Sequence, residues 1–504
     1  MPPSAQRGET PLFGRHWDKA ALIAVLTAAA FVRLWRLDLM EFKGDEANAC
    51  RLALQSLGRG VGGDSGAGFP LTGLMASIGV PNPPLFIYLL ALPLAISADP
   101  LEAAVFVALA NVAAVAICYI VGRRYFSPFV ALAASALYAL APWAVIFSRK
   151  LWAQDLMPVF ICGFLLAAHS FLVDRKPRSL AIAIFLAAAA IQLHFSALIL
   201  VPVIACLLVA GRATVRGRWI AAGILAAALL YAPYVLHVVR THGADFANLG
   251  ARRGEWSASL PAGRRLLLAL RYPLAVSGAD ATDALLGGQP GLAFPFALLT
   301  GILAFAGLAW LCVRDRAGPL FSARLILAIW IILPSLGIAV VGVVPYTHYF
   351  IVLYPILFLG LAAALEKLSG DWRLVSLAAC VAGYAWLDAS LFHSVASRGG
   401  APADYGVAYA YKAAAIESAV AENPGRPFVL ADGIHPEGAI APEYRFLADL
   451  RDCGRKPASG QPEFGYVLID TLGTALTPEG EAAAKKFQRR QFGPLAVYVI
   501  PLGR

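Results

Sequence analysis

Charged residues are scarce in this sequence of 504 residues, at 14%, whereas 59% of the residues are hydrophobic. Soluble globular proteins have about a quarter of their residues charged, so an ordinary soluble enzyme is excluded. The apolar runs also lack the alternation of apolar and polar residues that a membrane β-barrel needs. Many of them reach the roughly 20 residues that a spanning helix requires. The sequence therefore predicts an all-α polytopic membrane protein.

Other signals are missing too. The seven cysteines show no zinc-type spacing; Cys50 and Cys453, the two in polar stretches, either pair in an oxidising compartment or are unrelated thiols. The net charge is +10, but no basic soluble module is visible, so we expect no nucleic-acid partner. No small-residue cleavage site follows the first apolar run, so residues 19–36 are expected to be a retained span.

The short basic connectors between apolar runs predict the topology, because cytoplasmic loops collect Lys and Arg. If the run 85–98 crossed the membrane, every later basic connector would lie outside. That run is too short for a typical span, so we expect 37–100 to be one external loop, with surface helices over about 46–58 and 84–97. About eleven spans remain, with a cytoplasmic N-terminus. Residues 239–291 form a second large external loop.

The composition changes at residue 394, which divides the chain into a membrane domain, 1–393, and an external α/β domain, 394–504. The pattern predicts an amphipathic helix over 407–423 and a charged helix over 478–490. Short strands are predicted at "PFVLADG", "FGYVLID" and "LAVYVIPL".

This topology brings polar side chains together on the external side of the membrane. Placing a carboxylate in a bilayer costs free energy, so acidic residues there are functional candidates. The acidic pair Asp45-Glu46 could cap a helix, the cations could reach toward the interface, and Asp155 could simply pair with Arg149. The candidate site residues on this side are Asp45, Glu46, Asn82, Arg149, Lys150, Asp155, His194, Arg252, Arg253, Tyr346, His348 and Tyr349.

The segments "RLWRLDLMEFKGDEANACRLA", "PNPPLFIYLLALPL", "YIVGRRYF" and "APWAVIFSRKLWAQD" follow one another in an informative order. Together they resemble the GT-C glycosyltransferases, in the protein O-mannosyltransferase and aminoarabinose transferase branch (families 39 and 83). The likeness covers roughly residues 19–370. It implies transfer of a sugar from a polyprenyl-phosphate carrier, outside the cytoplasm and with inversion.

The resemblance also implies residue roles. Asp45-Glu46-Ala47 matches the acidic motif of the first external loop, Ser148-Arg149 with Asp155 matches the second, and His348-Tyr349 matches a motif before a late helix. The family's His-Pro-Pro-Leu is Asn82-Pro83-Pro84-Leu85 here, so the role of its histidine is open.

A base must help the acceptor hydroxyl, and Asp45 is the candidate, with Glu46 as a supporting carboxylate. Cations must meet the leaving phosphate, and the candidates are Arg149, Lys150, Arg252, Arg253 and His348, aided by Tyr346 and Tyr349. Asp155, His194 and Asn82 would support the site. A divalent cation, Mg²⁺ or Mn²⁺, held by Asp45 and Asp155 is an open option.

The expected partners are a polyprenyl-phosphate-linked sugar, a hydroxyl acceptor on a protein, lipid or envelope glycan, and the lipids of a bacterial inner membrane. Two other functions stay open. One is a glycan ligase or polymerase with a polyprenyl-diphosphate donor. The other is a non-enzymatic transporter of lipid-linked glycans, which would need a polar path through the membrane.

Overall fold

The computed structural model of the chain describes residues 15–61, 68–76, 78–247, 260–275, 293–402, 405–432, 440–452, 461–472 and 485–502. The predicted charged helix over 478–490 and the external loop 239–291 lie partly outside these ranges. Arg252, Arg253 and Cys453 lie wholly outside them.

The α-helices are α1 Arg15–Leu34, α2 Gly44–Ser56, α3 Leu85–Ile96, α4 Pro100–Tyr125, α5 Pro128–Leu140, α6 Pro142–Ile146, α7 Met157–Leu172, α8 Arg178–Leu193, α9 Leu200–Ala210, α10 Gly217–Arg240, α11 Ala244–Ala247, α12 Ala262–Ala275, α13 Ala293–Arg314, α14 Gly318–Val341, α15 Tyr354–Glu366, α16 Trp372–Arg398, α17 Tyr409–Glu422 and α18 Pro442–Asp452. The strands are β1 Gly400–Ala401, β2 Gly406–Val407, β3 Val429–Asp432, β4 Phe464–Asp470, β5 Gln488–Phe492 and β6 Leu495–Pro501.

Helices dominate the membrane part. Among the described residues, seven helices are long and apolar enough to cross a membrane, and the bent pair Pro128–Leu140 and Pro142–Arg149 would make an eighth. Every one of the eleven predicted runs contains a helix, although α8 and α9 are short. The all-α membrane architecture is therefore confirmed, and the number of spans stays a prediction.

The bend after α5 has a simple cause. Pro142 has no N–H to donate to the carbonyl of Tyr138 four residues earlier, and the chain turns by 61° there. The guanidinium of Arg33, on α1, donates to the carbonyl oxygens of Ala139 at 2.7 Å and Tyr138 at 3.5 Å. A buried arginine thus replaces the missing backbone donor and joins α1 to the broken helix.

The two surface helices of the first external loop are present as α2 and α3, close to their predicted limits. The alternative that the acidic pair caps α2 does not hold, because the helix begins at Gly44 and Lys43 is its N-cap residue. Asp45 therefore lies within the first turn, where a negative charge stabilises a helix.

The C-terminal residues form a sheet in the order β3-β4-β6-β5, with β3 and β4 parallel and the other pairs antiparallel. Helix α17 and three strands match the sequence prediction. The predicted charged helix over 478–490 is wrong at its end, because Gln488–Arg490 belong to β5, which pairs with β6. One hydrophobic core runs from the bundle through α2 into this domain, and it joins Ala47 to Phe446 and Tyr466.

Candidate functional site

Three segments carry the candidate site. They are the loop between α1 and α2, the segment between α6 and α7, and the 3₁₀ turn Thr347–Leu353 before α15. Lys150 links the first two, because its ammonium lies 3.2 Å from a Glu41 carboxylate oxygen. The Trp152 and His348 rings link the second and third, with centroids 5.6 Å apart.

Glu41 forms ion pairs with two lysines. Its carboxylate oxygens lie 2.7 Å from the ammonium of Lys43 and 3.2 Å from that of Lys150. Glu41 and Lys150 are buried, whereas a third of the Lys43 side chain is exposed. The Lys150 ammonium also lies 3.2 Å from the centroid of the Trp152 ring, a close cation–π contact. The two ammonium groups thus share one carboxylate at the edge of the site.

The acidic pair is divided by the helix. Consecutive residues of an α-helix point about 100° apart, so Asp45 is exposed while Glu46 is fully buried. Glu46 Oε2 accepts the backbone N–H of Lys43 at 3.0 Å. Burial, followed by the charge of Glu41, raises the pKa of Glu46 to about 7, although Lys150 and Lys43 oppose the shift. Asp45 is therefore accessible from solvent, whereas Glu46 is a buried acid with a raised pKa.

Asp155 is also fully buried. Its Oδ2 accepts the backbone N–H of Trp152 at 2.9 Å, and its backbone carbonyl accepts the side-chain amide of Asn111 at 2.8 Å. Oδ1 of Asp155 and Oε1 of Glu46 have no hydrogen-bond partner within the described ranges. Asp155 therefore fixes the turn that presents Lys150 and Trp152, and the alternative that it pairs with Arg149 does not hold, because the Arg149 guanidinium donates to backbone carbonyls.

An aromatic cluster borders the lysines. The His348 ring contacts Tyr346 at 5.6 Å, Tyr349 at 4.7 Å and His194 at 5.5 Å between centroids. The His194 Nδ1 lies 2.9 Å from the Ser196 hydroxyl. The sequence analysis placed these rings on one side of the membrane, and the structure brings them into direct contact.

An apolar groove of about 230 Å³ begins at this cluster. His194 and Tyr349 form its polar end, and its remaining walls are mostly aliphatic side chains of α14 and of the turns beside it. Both rings contact His348, and a series of side-chain contacts leads from His348 through Trp152 to Lys150.

Arg149 is a correction to the sequence analysis, which placed it on the donor phosphate. Its guanidinium is buried and donates four hydrogen bonds of 2.8–3.0 Å to the carbonyls that end α1 and follow it, those of Val32, Arg33, Trp35 and Arg36. The last carbonyls of a helix have no partner within it. Arg149 satisfies them and is a structural residue.

Other predicted residues lie elsewhere. Asn82 closes a turn through its backbone, with its N–H on the Leu74 carbonyl and its carbonyl on the Gly73 N–H, and no contact among the described residues connects it to the lysines. The proposed metal ligands do not fit together, since Asp45 is exposed and Asp155 is fully buried. Within the described ranges, no three His, Cys, Asp or Glu side chains are grouped to hold a metal.

The sequence analysis missed Glu41 and Lys43. A signal was present, because Glu41 and Lys43 alternate along the sequence just before α2. Alternate residues of an extended chain point the same way. Glu46, expected to support Asp45, is fully buried in the cluster, as Asp155 is.

Comparisons with known proteins agree with this architecture. Residues 81–237, about a third of the chain, match the model of the family described as dolichyl-phosphate-mannose-protein mannosyltransferase. Two crystal structures of ArnT from Cupriavidus metallidurans, one bound to undecaprenyl phosphate and one in the apo state, share the fold. Their TM-scores are 0.55 and 0.56 at 14% identity, over 96% of this chain and 98% of that chain.

The chain therefore has the fold of the ArnT structures. A structure of the oligosaccharyltransferase AglB from Archaeoglobus fulgidus has a TM-score of 0.48 at 13% identity, over 98% of this chain and 76% of that chain. That similarity is too weak to support an argument. No curated protein matches the chain by sequence. The lysines, carboxylates and aromatic rings described above form the candidate functional site of this fold.

Proposed function

We propose that the enzyme transfers a sugar from a polyprenyl-phosphate carrier to a hydroxyl acceptor at the external face of a bacterial inner membrane. One observation carries the proposal: the apolar groove ends at an aromatic cluster that continues directly into the two lysines and the acids. A lipid-linked phosphate needs this combination, with an apolar site for its chain beside cations for its head group.

The donor occupies the groove with its isoprenoid chain. The ArnT structure bound to undecaprenyl phosphate supports this assignment, since it has the same fold. The phosphate then lies toward His348 and the lysines, where Lys43 is partly exposed and Lys150 is held on Trp152. Cations placed in advance at a leaving phosphate stabilise the charge that develops in the transition state.

The acceptor approaches Asp45, because a general base must touch the hydroxyl it deprotonates and Asp45 is exposed where Glu46 is not. The acceptor oxygen bonds to the anomeric carbon as the bond from that carbon to the phosphate oxygen breaks. The proton passes to Asp45, and polyprenyl phosphate leaves. A single displacement of this kind inverts the anomeric centre.

The orientation in the membrane follows from the basic connectors, which place Arg123 and Arg124 on the cytoplasmic side. The active site and the C-terminal domain then face the periplasm. The lysines supply the positive charge that the phosphate requires, so the proposed reaction proceeds without a divalent cation and should survive EDTA.

The test compares Asp45→Asn with Asp38→Asn in a deletion strain. Asp38 is an exposed acid of the same loop and is paired with Arg36 at 3.1 Å, so its loss should leave transfer unchanged. Asp45→Asn should lower the transfer rate in membrane vesicles by about 10²–10⁴-fold, the worth of a general base. The product is measured by mass spectrometry of the envelope glycans.

Purified Asp45→Asn should still bind undecaprenyl phosphate, since no part of the groove is altered. Near-normal transfer by this variant would refute the base assignment and favour a ligase or polymerase mechanism, which works without this carboxylate. A deletion strain with unchanged glycans would refute the function itself.

A further inference from the structure

The loop between α1 and α2, which carries Glu41 and Lys43, has few hydrogen bonds of its own. Between α1 and α2, residues 37–39 make a single 3₁₀ turn, and the chain from Met40 to Lys43 is extended or irregular. Buried backbone carbonyls in such a segment need partners from elsewhere. These partners come from the far end of the chain, in the C-terminal domain.

Three carbonyls of this loop are held by residues 405–412. The Tyr405 hydroxyl donates to the Leu39 carbonyl, the Tyr409 backbone N–H donates to the Met40 carbonyl at 3.0 Å, and the Lys412 ammonium donates to the Phe42 carbonyl at 2.8 Å. Two of the held carbonyls, those of Met40 and Phe42, flank Glu41. The C-terminal domain therefore holds the backbone of this loop, while Glu41 contacts Lys150 and Lys43 lies over the Trp152 ring.

Burying the ammonium of Lys412 at this position costs desolvation free energy. Only 4% of its side chain is exposed, and its ammonium is neutralised by Glu443 at 2.8 Å, itself nearly buried. A buried ion pair gives little net stability, because desolvation of both charges offsets their attraction. Its presence therefore needs another explanation than stability alone.

The packing around this pair also points to the loop. Phe42 is fully buried and lies edge-on to Tyr409 at 5.2 Å, and it contacts Phe446 at 6.1 Å. Helix α2 is tied to α18 by an ion pair of 3.1 Å between Arg51 and Asp449. The C-terminal domain thus contacts both the loop that carries Lys43 and the helix α2 that carries Asp45.

We propose that Lys412 is a positioning residue for the transfer reaction, and that through it the C-terminal domain sets the geometry of Lys43 and Asp45. This inference rests on the proposed function. The domain is then part of the catalytic unit through the loop that it holds.

The test uses full-length Lys412→Met, Lys412→Arg and, as a matched control, Arg426→Met. Arg426 belongs to an exposed ion pair of the same domain, 3.1 Å from Glu463. In membrane vesicles, Lys412→Met should lower the maximal transfer rate about 10- to 100-fold, because a misplacement of about 1 Å can cost 10²-fold. Lys412→Arg should recover most of the rate, and Arg426→Met should not lose it.

Two further measurements separate positioning from general damage. Binding of undecaprenyl phosphate to purified Lys412→Met should match the wild type, because the groove is untouched. Hydrogen exchange of the amides in residues 39–46 should become faster, while the helices of the bundle keep their protection. If Lys412→Met fails to fold, the Lys412→Met/Glu443→Gln variant replaces it, since that variant leaves no unpaired buried charge.

A folded Lys412→Met or double variant with a normal rate and normal exchange in 39–46 overturns the positioning role. A loss of rate that Arg426→Met shares also overturns it. The Asp45→Asn variant in the same vesicles tells the two proposals apart. If it is inactive, the proposed function stands whatever Lys412 does; if it is active, the base assignment fails first.

Discussion

Replacing Glu46 by Gln should change how the stability of the protein depends on pH. Glu46 is fully buried beside Glu41, and its pKa is raised from 4.5 to about 7. Between these values the unfolded chain releases the proton and the folded protein keeps it. The raised pKa of this acid therefore makes stability fall as pH rises from about 4.5 to about 7, and the loss is complete above that.

The magnitude follows from the displacement of the pKa. At 1.36 kcal/mol per pKa unit, the change from 4.5 to about 7 corresponds to about 3 kcal/mol. About 2 kcal/mol of this loss of stability occurs between pH 5.5 and pH 8. Glutamine keeps an oxygen for the Lys43 N–H but carries no proton to release, so the Glu46→Gln variant should lack this part of the pH dependence.

The assay is thermal unfolding in detergent at pH 5.5 and pH 8. With an unfolding entropy of about 2.1 cal/mol/K per residue, 504 residues give about 1 kcal/mol per degree. The drop in Tm between the two pH values should then be about 2 °C larger for the wild type than for Glu46→Gln. Asp45→Asn, at the exposed neighbour, should follow the wild type. Parallel curves for wild type and Glu46→Gln would refute the reasoning.

Three further predictions follow from the bundle. Arg149→Met should cost about 3 kcal/mol or more, since it leaves four carbonyls without their donor; a stable variant that loses undecaprenyl phosphate binding would instead support a phosphate role. Gly307→Ala should destabilise the protein by about 1–3 kcal/mol in thermal unfolding, because the new Cβ would lie 1.9 Å from the Gly360 carbonyl oxygen. The control Gly337→Ala adds a Cβ in open space and should leave the stability unchanged. Val341→Trp should narrow the groove and weaken undecaprenyl phosphate binding about tenfold in a binding titration, about 1.4 kcal/mol, with an unaltered affinity contradicting the donor site.

Local sequence patterns predicted much of the architecture. The apolar runs predicted the bundle, and the short run after "PNPP" correctly predicted the helix α3, because helix length and apolarity are properties of a continuous segment. The same holds for β4, whose seven residues match the prediction. The strand β5 was missed because its polar sequence is a strand only through its pairing with β6.

The sequence by itself determined that this chain spans a membrane, and it predicted that Lys150, Glu46, Asp155 and the two histidines share one face. Those properties depend on the length of apolar runs and on the distribution of charge, which are local. Only the tertiary structure decided what each polar group does. It buried Glu46 and exposed Asp45, turned Arg149 onto the end of α1, and brought Lys412 to the Phe42 carbonyl across 370 residues. Such partners are set by contacts between distant segments, which no local pattern encodes.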